Sequence, residues 1–309
     1  MPQLDVRRIE WWFEGLRSLQ AGAFIAVAAA LLLSLAGCTQ QQGSSEKRVA
    51  PTNAAGVTDL LSEVRKRGKL IISTDANYQP LSYRTSDGAW RGFDIDVGRE
   101  IARRLGVSPE FLDINFDVTT SGNWNGRWDL NIDSMTVTHD RQRVLYFTEP
   151  YYYIPAAFVV HKNNTLKSIE GLAGKRVGVG TATTYQAYLE GHLTLTGENI
   201  LVPAPAARAI PYDTDQLALR DLALGDGVRL DAVLTSWPFA AFQIKSGQPF
   251  RELGQAVFYE EAAVAIDKNS PLDPKSFYQA TEQAVEGMHK DGTLSRLSKQ
   301  NFGADFTHK

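Results

Sequence analysis

Apolar positions change period repeatedly along the chain, and each change marks an element. An apolar run from Ala21 to Ala36 is followed by a polar stretch, Thr39 to about Gly56, in which no period can be found. Residues 60–67 then read as a short helix and 69–73 as an apolar strand, while Ser86, Asp87 and Gly88 supply the turn of a hairpin. Asp94 is expected to cap a helix reaching Leu105, since Ile95, Val97, Ile101, Ala102 and Leu105 form a stripe at helical spacing and Gly106 ends it. A strand at 110–114, a loop rich in Gly, Asn and Trp, and a buried strand at 130–132 come next. Further on lie a strand at 177–179, a helix after Thr183, a helix at 213–224, a strand at 232–234 and a helix from Trp237 and Pro238. Alternation of this kind predicts an α/β sheet with helices on its faces.

Length and charge narrow the function. The chain has 309 residues and a net charge of -3, enough for two lobes and without the basic footprint that nucleic acid requires, so no nucleic-acid partner is expected. The run 21–36 is short and Ala-rich for a bilayer span but suits a secretory leader, with Arg7, Arg8 and Arg17 ahead of it. It ends in Leu35-Ala36-Gly37-Cys38, which resembles the lipobox of bacterial lipoproteins. That resemblance implies cleavage before Cys38 and acylation of its thiol, hence an exported protein held at a membrane surface by lipid. Cys38 is the single cysteine, so no intrachain disulfide can form. Residues 1–37 are therefore expected to be a leader and 38–57 a flexible tether.

The stretch from Asp133 to Arg141 concentrates chemistry. It leaves the 130–132 strand and turns, with Thr138 as cap, into a short helix containing Arg141. Hydroxyls, unsatisfied helical N–H groups and one guanidinium are gathered there, and a guanidinium matches a carboxylate bidentately. Two readings are open: a carboxylate receptor, or an arginine solvated on a capped helix.

The wider pattern carries a family resemblance. Thr74-Asp75-Ala76-Asn77-Tyr78-Gln79-Pro80, Gly92-Phe93-Asp94-Ile95-Asp96, Ser134-Met135-Thr136-Val137-Thr138 with Arg141, and Phe147-Thr148 with Pro150-Tyr151 resemble the successive signatures of the family 3 bacterial extracellular solute-binding proteins. Residues 174–179, Asp231-Ala232-Val233 and Asp291-Gly292-Thr293-Leu294 extend the match, which covers roughly residues 66–303. The resemblance implies a type II periplasmic-binding fold, two α/β lobes on a two-strand hinge, closing on a polar amino acid or similar solute for the permease of an ABC importer. It implies lobe 1 at 58–154 plus 262–309 and lobe 2 at 155–261. It implies a crossing to lobe 2 near residues 153–156 and a return near 262–266, and residues 156–160 and 261–266, short, apolar and extended, suit the paired crossovers.

Residue by residue, the resemblance places Arg141 as clamp for a ligand carboxylate, assisted by Ser134, Thr136 and, from the second lobe, Thr184. Tyr78 and Phe116 fall where the family stacks rings on the ligand, though each could equally be core. Asp75 matches a position that in some relatives meets a cationic side chain; it could also form a strand-end turn. Two departures stand out. Ser236 occupies the place of an Asp that commonly pairs with the ligand's ammonium, and Asp133 stands where a small residue is usual. Asp133 is expected either to take over the ammonium or, with Asp75, to select a cationic side chain; the alternative is a partly exposed Asp facing a base. Trp124 and Trp128 either cover the cleft mouth or pack beneath their own loop.

Other functions compete. A few relatives of the family are periplasmic dehydratases acting on cyclic carboxylates, and a ligand-sensing module for a membrane receptor would share the same body. The five histidines lack metal-ligand spacing, and neither a phosphate loop nor a nucleophile elbow is present, so neither cofactor nor catalysis is expected. A monomeric binding protein is the reading these residues favour.

Overall fold

The computed structural model describes residues 59–196 and 200–308. The expected leader 1–37, the lipidation site Cys38 and the tether 38–57 lie outside the described residues. Among the described residues, no helix is long and apolar enough to cross a membrane.

Two five-stranded sheets divide the strands between them. The first runs Ser108–Asp113, Lys69–Thr74, Leu130–Asn131, Ala265–Asp267, Leu145–Phe147 across its width. Its first three strands are parallel and Ala265–Asp267 pairs antiparallel to its neighbours on both sides. The second runs Arg208–Tyr212, Arg176–Gly180, Ala232–Ser236, Tyr152–His161, Phe250–Ala262. Parallel strands are covered on both faces, as the adjacent Ile72 and Ser73, pointing to opposite faces and both wholly buried, show. A small antiparallel sheet of Asn77–Tyr78, Ser82–Arg84 and Trp90–Arg91 completes the set.

Helix Leu60–Arg67 has the expected bounds because Asp59 caps it and Gly68, in the left-handed region, stops it. The second helix differs from expectation. It runs Phe93–Leu105 with Gly92 as its N-cap, and Asp94 is buried inside it, accepting from the Ser134 and Tyr151 hydroxyls. Gly92 has φ 119°, and a Cβ there would lie 2.2 Å from the Leu81 carbonyl oxygen. Gly92→Ala is therefore expected to destabilise the protein by at least about 2 kcal/mol, measured as a lowered urea midpoint, because backbone must move to admit the methyl.

The connections between the sheets are two antiparallel paired strands. Tyr152–Ala156 pairs with Phe258–Ala262, from Tyr152 opposite Ala262 to Ala156 opposite Phe258. These residues are the paired strands by which the chain enters and leaves the second sheet; they include the crossing expected near 153–156, while the return precedes most of the expected 262–266, since Ala265–Asp267 already belongs to the first. Helices Lys275–Lys290 and Thr293–Phe302 return to the first sheet's side, with the Phe302 ring 5.0 Å from that of Phe93.

Trp124 and Trp128 pack beneath their loop. Both are buried, their rings 5.3 Å apart, and the Trp124 indole N–H donates to Thr119 O at 2.9 Å. The Trp124 amide donates to Asp267 at 2.6 Å, which anchors the loop to the first sheet.

Candidate functional site

A cavity with about 520 Å³ of empty space, mouth included, lies where the ends of both sheets meet. Asp75, Tyr78, Phe116, Asp133, Ser134, Thr136, Arg141 and Thr184 all line it.

Arg141 sits on helix His139–Val144, whose start is fixed by the Thr138 hydroxyl accepting from the Arg141 amide. Its side chain turns inward and is 8% exposed. Nη1 donates to Thr136 O at 2.8 Å and Nη2 to Ala182 O at 2.9 Å, joining a segment beside the first sheet to one following Arg176–Gly180 of the second. The guanidinium lies 5.1 Å from the Phe116 ring centre, a cation–π arrangement. Burial lowers its pKa to about 10, against the raising influence of Glu260. The solvated alternative for Arg141 is thereby set aside.

Glu260 was not singled out by sequence reasoning. It lies on Phe250–Ala262 opposite Ile154 and is 2% exposed. Its Oε1 accepts from the Thr136 hydroxyl at 2.6 Å and from the Thr184 hydroxyl, and its Oε2 accepts from the Tyr185 hydroxyl at 2.7 Å. Burial raises its pKa, while those three donors and Arg141 oppose the rise. The hydroxyls expected to receive a ligand's carboxylate thus receive the protein's own.

Ser134 is similarly engaged. Held in the left-handed region at φ 51°, it donates its amide to Tyr151 Oη at 3.1 Å and its hydroxyl to Asp94 at 2.7 Å. Ser236 is not in the cavity lining. It is wholly buried behind Tyr78, whose hydroxyl donates to Ser236 Oγ at 2.7 Å, and the Tyr78 ring packs 4.6 Å from Phe239. The expectation that Ser236 faces the ligand is therefore corrected: it orients an aromatic wall.

The rest of the lining includes four aspartates, Asp75, Asp133, Asp213 and Asp215. Asp133, 5% exposed, accepts from the Asp75 amide through Oδ1 at 3.1 Å, and its Oδ2 has no hydrogen-bond partner among the described residues. Burial raises its pKa well above the usual carboxylate range, and the charges of Asp75 and Asp94 raise it further. The alternative of a partly exposed Asp133 facing a base does not hold. Burial likewise lifts Asp75 to about 6, with Asp113 adding to it, and Asp215 to about 7, with Asp75 and Glu260 adding to it. Asp215 opens helix Asp215–Leu222 behind the Thr214 cap and brings a carboxylate from the second sheet's side. Its place right after a Ser/Thr cap, in a turn that favours acidic residues, was its sequence signal.

Comparisons with known proteins bear on the family and the fold. Residues 70–304 match the family described as "Bacterial extracellular solute-binding proteins, family 3". The chain is 30% identical over 252 residues to the L-cystine-binding protein TcyJ of Escherichia coli (strain K12), covering 80% of this chain and 88% of that protein. It is 32% identical over 240 residues to the L-arginine-binding protein of Pseudomonas aeruginosa, covering 76% and 88% respectively. Among solved structures, an ancestral arginine-binding protein bound to arginine superposes with TM-score 0.66 at 29% identity, covering 77% of this chain and 99% of that one. The ancestral amino acid-binding protein AncCDT-1, a precursor of cyclohexadienyl dehydratase, superposes with TM-score 0.67 at 28% identity over 78% and 99%.

Proposed function

Because the chain belongs to the family 3 bacterial extracellular solute-binding proteins and has their type II periplasmic-binding fold, we propose that it captures a small cationic solute for an ABC importer. The solute is of the amino-acid class, an amino acid or a derivative of one. Lobe 1, 58–154 plus 262–309, and lobe 2, 155–261, would close about the paired stretches Tyr152–Ala156 and Phe258–Ala262. The lipobox residues ending in Cys38 support a lipid-anchored, exported protein working as a monomer beside its permease.

One observation carries the charge of the ligand. Asp75, Asp133 and Asp215 line one cavity, and Arg141 is the sole basic side chain of its lining among the described residues. Buried carboxylates without a cationic partner are costly, and a ligand cation that touches Asp133 from one side and Asp215 from the other supplies the partner. Contacts from both sides also make closure favourable, since a ligand shifts an equilibrium only by its differential affinity for the two states. Phe116 and Tyr78 provide aromatic walls for the rest of the molecule.

A thermal-shift screen tests this. Arginine, lysine and their amine derivatives are expected to raise Tm clearly, and a ligand at about 100 times its Kd adds about 2.7 kcal/mol. Stabilisation by glutamate or leucine and by no cation would overturn the reading.

A further inference from the structure

The acid-receiving end of the cavity is already occupied. Thr136 approaches Glu260 from the first sheet's side, Thr184 and Tyr185 approach from the second, and all three hydroxyls donate to it. Three O–H donors converging on one buried carboxylate form the environment that a bound ligand's acid group would otherwise need. Arg141 is held by two backbone carbonyls, Thr136 O and Ala182 O, with Glu260 as a charged neighbour. A second carboxylate entering here would meet like charge in a desolvated space, and displacing Glu260 would leave a buried acid without its donors. Elsewhere in the lining the imbalance is of the other sense, since Asp133 lines the cavity and its buried Oδ2 has no hydrogen-bond partner among the described residues.

We infer that the preferred occupant is a small organic cation without an acid group, an amine or guanidine, because Glu260 fills the carboxylate position from within the protein. The inference rests on the cationic-solute reading above and narrows it. Glu260 is then a specificity-determining residue: it sits on the strand joining the sheets, so it accompanies whatever closes the cleft. Amino acids that bind must do so beside it or in its place.

Isothermal titration calorimetry of the purified protein with matched pairs decides the matter: arginine against agmatine, and lysine against cadaverine. In each pair only the carboxylate differs. The amine is expected to bind at least about 10-fold tighter than its amino acid near pH 8. Glu260→Gln, which keeps the shape and removes the charge, is expected to shrink that ratio about 10-fold or invert it. An amino acid that binds the wild-type protein as tightly as its amine overturns the inference and leaves the cationic-solute reading standing. A ratio unchanged in Glu260→Gln overturns the role of Glu260. If no member of either pair binds, both readings fall. The wild-type comparison decides even if the variant does not fold.

Discussion

Acidification from about pH 8 to pH 5 is expected to stabilise the ligand-free protein and to weaken its hold on a cation. Asp215, with its pKa raised to about 7, and Asp75 and Asp94, raised to about 6, all hold protons more tightly folded than unfolded. Their stabilisation is fully present below the unfolded value near 3.8 and is lost as pH rises through 6 and then 7. Between pH 8 and pH 5, linkage makes Asp215 worth roughly 3 kcal/mol and the other two roughly 1 kcal/mol each. Below about pH 4 the trend reverses, because Asp291 and Asp305 are held below the ordinary range. Hydrogen bonds from Thr293 and Arg104 lower the first, and bonds from Ser295 and Thr307 outweigh burial at the second. A cation favours the ionised cavity, so its affinity should fall about 100-fold between pH 8 and pH 5 if Asp215 must give up its proton. Urea unfolding with and without ligand across that range measures both slopes. Ligand-free stability that is flat or rises with pH would show that these carboxylates are not buried against each other as described.

The parts of this arrangement that sequence exposed are those governed by neighbours along the chain. The Thr138 cap, the short helix behind it and Arg141 one turn in follow from local backbone chemistry, and the structure keeps them. So do the bounds of Leu60–Arg67. What escaped depends on contacts distant in sequence. Asp94 resembles a helix cap, yet burial against Ser134 and Tyr151 claims it, and the start of the helix passes to Gly92. Glu260 and Glu261 adjoin in an extended run, and side chains of a strand alternate faces, so one of the two had to point inward. That signal was present, but which of them enters the cavity is set by pairing with Tyr152–Ala156, over a hundred residues away in the chain. The Trp124 loop is similar: its anchor, Asp267, lies on a returning strand that no local pattern associates with it.

Arg141→Ala is expected to lower stability by about 3 to 5 kcal/mol and to open the cleft in the ligand-free protein. The guanidinium is the donor to two carbonyls, Thr136 O of a buried residue and Ala182 O of an exposed one, that belong to segments on opposite sides of the cavity. Its removal leaves the buried Thr136 O to find water, at about 1 to 3 kcal/mol, frees Ala182 O as well, and deprives Glu260 of the positive charge that opposes the effect of its burial. Opening the cleft is the cheapest way to rehydrate all three groups, so an increased radius of gyration in small-angle scattering should accompany the lost stability. Lysine in the same place restores charge but has no planar fork, and should recover only part of the effect. The deficit should also shrink on acidification, because burial raises the pKa of Glu260 and its protonated form needs no counter-charge. A variant as compact as wild type, with a deficit below about 1 kcal/mol, would mean that the cleft closes without this side chain and that Arg141 does not tie its walls together.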